Sequence, residues 1–390
     1  MMRRSNKLRR YIWISLSVLL QCFSGYLLAQ NAVSQDAGKA VRRLETAVPF
    51  LLVAPDARAG AMGETGAATS PDASSAHWNP SKLAFVSDTL AVSLSYSPWL
   101  RTLVSDMYLA YVNGYYKLDE RNTVGASFRY FTAGDIELRE SPDLAYGTFR
   151  PNEFAIDATY ARKFGNNFSL GTSVRFIYSN ISNAMVTQGQ QAGPASALAA
   201  DVSAYYTHAT TFSGRDLLLA FGGAISNIGS KISYSNEGSG LFLPTNLKIG
   251  TAATVAKGKG ALTFALDVNK LLVPSPPLRD SQGKIVSGSD PNKSVPAAMF
   301  GSFSDAPGGF SEELKEISIA TGLEYVYNKQ LAARMGYFYE SRDKGDRRYL
   351  TFGGGYRYQK FNLDFSYLAA SQTRSPLANT LRFTIAYTIR

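Results

Sequence analysis

From residue 361 to the end of the chain, apolar and polar positions trade places with a period of two. In FNLDFSYLAA, Phe361, Leu363, Phe365 and Tyr367 fall on one face, and Asn362, Asp364 and Ser366 on the other. In the last stretch, Leu381, Phe383, Ile385, Tyr387 and Ile389 oppose Arg382, Thr384, Ala386, Thr388 and Arg390. Such alternation marks strands with one apolar face. It recurs in about fourteen segments, near residues 89–97, 105–117, 122–134, 152–164, 167–180, 197–209, 216–228, 245–256, 260–271, 314–328, 330–341, 348–359, 361–370 and 379–390. An even count is what a closed antiparallel barrel of a bacterial outer membrane requires.

The connections separate a barrel from a soluble sandwich. After the second, fourth, sixth, eighth, tenth and twelfth segments they are short: LDER, GNN, TTFSGR, KGKG, Asn328 to Gln330, and Gln359-Lys360. After the third, fifth, seventh and ninth they are long: 135–151, 181–196, 229–244 and 272–313. Tight turns on one side and long loops on the other is the asymmetry of an outer-membrane barrel, with its long side facing the exterior. Leu262, Phe264, Leu266 and Val268 are expected to face lipid. Arg175, Asp267, Glu324, Asp364 and Arg382 are expected to face inward, because a basic side chain on the lipid face at mid-membrane costs about 2–4 kcal/mol. Tyr111, Tyr115, Tyr116, Tyr205, Tyr206, Tyr356 and Tyr358, near strand ends, are candidates for interfacial girdles.

The first residues do not share this period. MMRRSNKLRR, the apolar run YIWISLSVLL and then QCFSGYLLAQ form a basic region, a hydrophobic core and a small residue before a cut at Ala29/Gln30. Residues 1–29 are therefore expected to be an export signal. Removing Arg3, Arg4, Lys7, Arg9 and Arg10 halves the formal charge of +10, and a nucleic-acid role built on charge loses its basis. The single cysteine, Cys22, leaves with that segment, so the exported chain has neither disulfide nor thiol nucleophile. Residues 30–46 are polar and aperiodic, and predict a periplasmic tail. Residues 47–88 are rich in Gly and Ala yet apolar at Phe50, Leu51, Leu52, Val53, Met62, Trp78, Leu83 and Phe85; they predict a plug covered by the barrel that spans 89–390.

Candidate chemistry is sparse. His77 and His208 are far apart and carry no metal-ligand spacing, so neither a metal nor a cofactor is expected. No GxSxG or similar nucleophile motif accompanies them, which argues against a hydrolase. Gly60, Gly63 and Gly66 follow no strand and are expected to serve close packing. In the long Pro-, Ser- and Gly-rich loop 272–313, Met299, Phe300, Phe303 and Phe310 are poorly explained by exposure to water, and are candidate anchors for a protein partner.

The stretch APDARAGAMGETGAATSPDASSAHWNPSKLAF resembles the start of the PorV family, outer-membrane proteins of the type IX secretion system of the Bacteroidetes, themselves similar to FadL-type fourteen-stranded barrels. The residues that carry the resemblance are Ala57-Arg58, Gly60, Met62-Gly63, Asp72, and Trp78-Asn79-Pro80 before Leu83. The chain ends in Arg390 where such barrels often end in an aromatic. The resemblance implies a non-enzymatic carrier that takes secreted cargo from the translocon barrel through the cargo's C-terminal domain. It would then deliver the cargo to a surface sortase complex for attachment to lipopolysaccharide. On that basis the outer-loop residues Phe149, Leu241, Phe242, Met299, Phe300, Phe303 and Phe310 are expected to bind cargo. Arg58, Gly60, Met62, Gly63, Trp78, Asn79 and Pro80 are expected to form the plug. The alternatives are a FadL-type channel for hydrophobic small molecules and a lipid A deacylation factor.

Overall fold

The computed structural model describes residues 42–98, 106–141, 144–181, 193–234, 240–370 and 379–389; the predicted export signal lies outside them. The strands, in chain order, are β1 (Leu90–Pro98), β2 (Tyr108–Lys117), β3 (Asn122–Thr132), β4 (Ile136–Ser141), β5 (Leu144–Phe149), β6 (Asn152–Phe164), β7 (Phe168–Asn180), β8 (Ala195–Phe212) and β9 (Arg215–Gly229). They continue with β10 (Asn246–Lys257), β11 (Gly260–Leu271), β12 (Leu278–Arg279), β13 (Ile285–Ser287), β14 (Ile317–Tyr327), β15 (Leu331–Tyr339), β16 (Arg348–Tyr358), β17 (Phe361–Ala370) and β18 (Thr380–Ile389). Fourteen of them close an antiparallel barrel, each pairing its neighbours in sequence, with β1 zipped to β18 from Leu90 opposite Ile389 to Tyr96 opposite Phe383. The pairs β4-β5 and β12-β13 are separate hairpins inside two of the long connections.

The period of two decides which way each side chain points. Along β7, Ser169, Gly171, Ser173, Arg175 and Ile177 are buried, while Leu170, Val174 and Phe176 are exposed on the outer wall. Arg175, Asp267, Glu324, Asp364 and Arg382 all face inward and are buried. In lipid, closure of the cylinder leaves no strand edge unpaired. No helix among the described residues is long and apolar enough to cross a membrane. The barrel is an outer-membrane fold, and its long connections gather at one end.

Two expectations need correction. Tyr111, Tyr115 and Tyr205 are buried on the inner wall, whereas Tyr116, Tyr206, Tyr356 and Tyr358 are exposed outside. Adjacent tyrosines such as Tyr115 and Tyr116 occupy opposite faces of a strand, so both cannot join a girdle. The turn expected over TTFSGR shrinks to Ser213-Gly214, because the strand-forming Thr210, Thr211 and Phe212 extend β8. Both turn residues have positive φ, 51° and 69°, the geometry whose twist matches a two-residue hairpin.

Candidate functional site: plug and outer loops

The segment from Ala47 to Val86 runs inside the barrel from the long-loop end to the short-turn end. Its first turn, Pro49–Leu52, begins after Val48 and buries Val48, Phe50 and Leu51 against Leu109, Ala155, Ile177 and Ala197, all near the loop end. Its last turn, Pro80–Phe85, packs on β6, β7 and β8 toward the other end, where Leu83 and Ala84 meet Tyr115 and Ala161. The chain therefore enters the plug from above. Arg42 forms a 2.7 Å ion pair with Glu312 of the outer loop 272–316, and the Ala47 amide donates to the Phe242 carbonyl at 2.9 Å. Residues 42–46 thus lie at the exterior end rather than trailing into the periplasm. The polar composition of that stretch carries no sign of a carboxylate 270 positions away that would hold it.

The motif residues are the fastenings of the plug. Asp56 caps the short helix Ala57–Ala61 by accepting the Ala59 amide at 2.9 Å, and accepts the Trp78 indole N–H at 2.6 Å. Arg58 donates to both oxygens of Glu324 at 3.0 and 2.8 Å and to Asp72 at 2.8 Å. Glu324 also accepts from Arg334 at 2.6 Å, and Arg334 reaches Asp364 at the same distance, so a charge chain joins the plug to β14, β15 and β17. Asn79 donates to the carbonyls of Ala67 and Ala204 at 2.8 and 3.0 Å, and Pro80 opens the following turn. The Gly66 and Ala67 amides donate to Asp267 at 2.8 and 2.9 Å. A paired buried charge of this kind is hard to break, because the abandoned partner stays uncompensated.

Glycine lets the two backbones touch. Gly63 has φ 67° and its amide donates to Thr351 at 2.8 Å; Met62 beside it is buried. On the wall, a Cβ at Gly222 would overlap the Ala67 carbonyl oxygen, so no larger residue fits without moving one backbone or the other. Gly60 lies against Arg382 of β18. Of the two histidines, His77 is in the plug, hydrogen-bonded to Arg129 and edge-on to Trp78, while His208 is exposed on β8. They share no site.

Four of the seven loop residues fall together on one built element. Met299 and Phe300 belong to the helix Val295–Gly301, Phe303 follows it, and Phe310 starts the helix Phe310–Glu313. Phe300 is 80% exposed, Phe310 76% and Phe303 50%. The base beneath them is fixed: Lys270 of β11 bonds Glu313 and Glu316, each at 2.9 Å, and Lys344 bonds Glu312 at 2.7 Å and Glu316 at 2.8 Å. Burial raises the Glu312 carboxyl, but hydrogen bonds from Lys344 and Arg42 outweigh that and hold it down at about 2. The other three sit on separate loops. Leu241 pairs with Ile232 across loop 229–245 and is exposed; Phe242 lies under the Lys231 ammonium, 4.3 Å away; Phe149 ends β5. The ion pairs that pin the large loop were not legible in sequence, since their members lie tens of residues apart without a motif.

Comparison with known proteins agrees with this geometry. No curated protein matches the chain. Among solved structures, the toluene transporter TodX of Pseudomonas putida is 12% identical, with a TM-score of 0.50 over 86% of this chain and 98% of that one. The toluene transporter TbuX of Ralstonia pickettii is 12% identical, with a TM-score of 0.46 over 86% and 98%. A FadL homologue of Pseudomonas aeruginosa is 12% identical, with a TM-score of 0.43 over 90% and 100%. At these identities the likeness is one of fold alone. The family described as "Type IX secretion system protein PorV" matches residues 35–278, more than half of the chain, including the whole plug and β1 to β11. With that match and a closed fourteen-stranded barrel around the fastened motif, the chain belongs to the PorV family of type IX secretion system proteins, in the outer membrane.

Proposed function

We propose that the barrel is a membrane anchor for a protein-binding platform. In this reading the platform takes the C-terminal domain of a secreted protein from the translocon barrel and hands it to the sortase complex beside the lipopolysaccharide surface. The observation that carries it is the pairing of rigidity with exposure in loop 272–316: Phe300 and Phe310 are left 80% and 76% exposed above a base locked by Lys270 and Lys344. Exposed aromatic rings held by fixed supports supply contact area at little ordering cost, as binding hot spots do. The fastened plug fits a barrel whose business is at its rim rather than through its centre.

The test is affinity purification of the tagged protein from native membranes. Deleting residues 280–308 leaves barrel assembly intact and abolishes co-purification of surface proteins sharing a C-terminal domain. Phe300→Ser with Phe310→Ser reduces it at least tenfold. Unchanged cargo recovery from either variant removes this loop from the site.

A further inference from the structure

Beneath the outer loops lies a cavity of about 460 Å³, bounded by the plug, the upper wall and the connection 340–347. That volume lies within the range of small-molecule sites. Its apolar lining is Phe50 and Trp78 of the plug and, across the barrel on β15, β16 and β17, Phe338, Tyr349 and Leu368. Several of its charged groups are satisfied: Arg347 is paired to both oxygens of Glu340, Lys344 to two glutamates, and Arg175 to Asp201 at 3.0 Å. Arg382 is not. It lines the cavity with 1% of its surface exposed, and Nε, Nη1 and Nη2 all lack a hydrogen-bond partner among the described residues. Glu64 stands 3.7 Å away, offsetting part of the charge without accepting a hydrogen bond, and is itself engaged by the Tyr349 hydroxyl at 2.7 Å. Ser366, paired across the strands with Arg382, is a second buried hydroxyl without a partner among the described residues.

A guanidinium removed from water with no acceptor is strongly unfavourable, and its planar donor fork matches a carboxylate or phosphate. We propose that this cavity binds an anion carrying a carboxylate or phosphate group, held by Arg382, with any apolar body lying against Phe338 and Tyr349. The proposal does not rest on the cargo-binding reading.

Calorimetric titration of the purified full-length barrel in a non-ionic detergent tests this, with hexanoate, the neutral isostere hexanol, and inorganic phosphate as probes. Hexanoate binds saturably and at least tenfold more tightly than hexanol in the wild type, a comparison that requires no variant. Arg382→Gln weakens hexanoate at least tenfold, Arg382→Lys weakens it less, and the ligand-free Arg382→Gln protein melts at the wild-type temperature or above. Inorganic phosphate bound with the same dependence on Arg382 supports the proposal and assigns free phosphate as the source; hexanoate alone assigns an organic acid. Equal binding of hexanoate and hexanol, no saturable heat with any anion, or a lower melting temperature for ligand-free Arg382→Gln would each overturn it, the last by making the guanidinium a structural support.

Discussion

Arg58 is the residue on which plug seating can be measured most directly. Replacing it with methionine keeps most of the side-chain volume and removes its bonds to Glu324 and Asp72. Removing one partner of a buried pair costs about 3–5 kcal/mol. Two features reduce that figure: Glu324 keeps Arg334 at 2.6 Å, and Asp72 is 32% exposed and can be rehydrated. A loss of about 2–3 kcal/mol remains, which at 1.4 kcal/mol per decade raises the open population roughly 30- to 150-fold. The assay needs a reporter that only opening uncovers. With Cys22 expected to leave with the export signal, Ala68→Cys places the exported chain's reporter thiol at a position 1% exposed. Its labelling rate, measured with a small thiol reagent under conditions where closing outpaces reaction, follows the open population. Arg58→Met should accelerate labelling by that factor. Arg150→Met is the control, because the Arg150–Asp135 pair is 56% and 48% exposed and such pairs contribute about 0–1 kcal/mol. Acceleration below about threefold for Arg58→Met, or equal acceleration by both, refutes the idea that the charge chain fastens the plug.

Three further outcomes are expected. Gly222→Ala forces a Cβ into the Ala67 carbonyl and should make the plug thiol of the Ala68→Cys background label at least tenfold faster, whereas Gly223→Ala, with nothing within 4 Å, should leave labelling unchanged; matching rates for the two would show that plug and wall do not touch there. Glu312 is held at about 2 against an ordinary value of 4.5, so its contribution to the Arg42 and Lys344 contacts is complete above pH 4.5 and is lost as pH falls toward 2. A spin label at Ser311→Cys should keep constant mobility from pH 7 to 4.5 and loosen below, with Glu312→Gln abolishing the transition; loosening already at pH 6 would contradict the assignment. On the outer wall, Val174→Arg at the middle of β7 should lower the stability of the lipid-reconstituted barrel by about 2–4 kcal/mol in denaturant titration. Loss of less than about 1 kcal/mol would place that face away from lipid.

What could be read from the residues follows how far the deciding physics reaches along the chain. Strand parity needs only nearest neighbours, so Leu262, Phe264 and Val268 fall outward and Asp267 inward where alternation puts them. The plug motif was legible as a motif but not as a mechanism. Trp78 matters through Asp56, and Arg58 through Glu324, 266 positions away, which no local pattern announces. The path of residues 42–46 is the strongest case. A polar, aperiodic stretch is what a periplasmic tail would be, and what holds it at the other end is the meeting of Arg42 with Glu312 across the folded barrel.

That meeting ties three parts of the molecule into one mechanical unit. Glu312 receives Arg42 from the start of the plug and Lys344 from the connection 340–347, and it sits two residues after Phe310, the second most exposed ring of the platform. Glu316, four residues further on, receives Lys270 from the barrel wall and the same Lys344. The platform's supports are therefore also the plug's upper fastening. Besides the wall contacts, one carboxylate therefore links Phe310's helix directly to the start of the plug. It follows that Glu312→Gln should do two things that a purely local loop contact would not: loosen the label at residue 311 and accelerate labelling of the thiol that Ala68→Cys places inside the barrel. Loosening of the loop with no change in the labelling of that buried thiol would separate the two functions and leave rim and plug as independent parts.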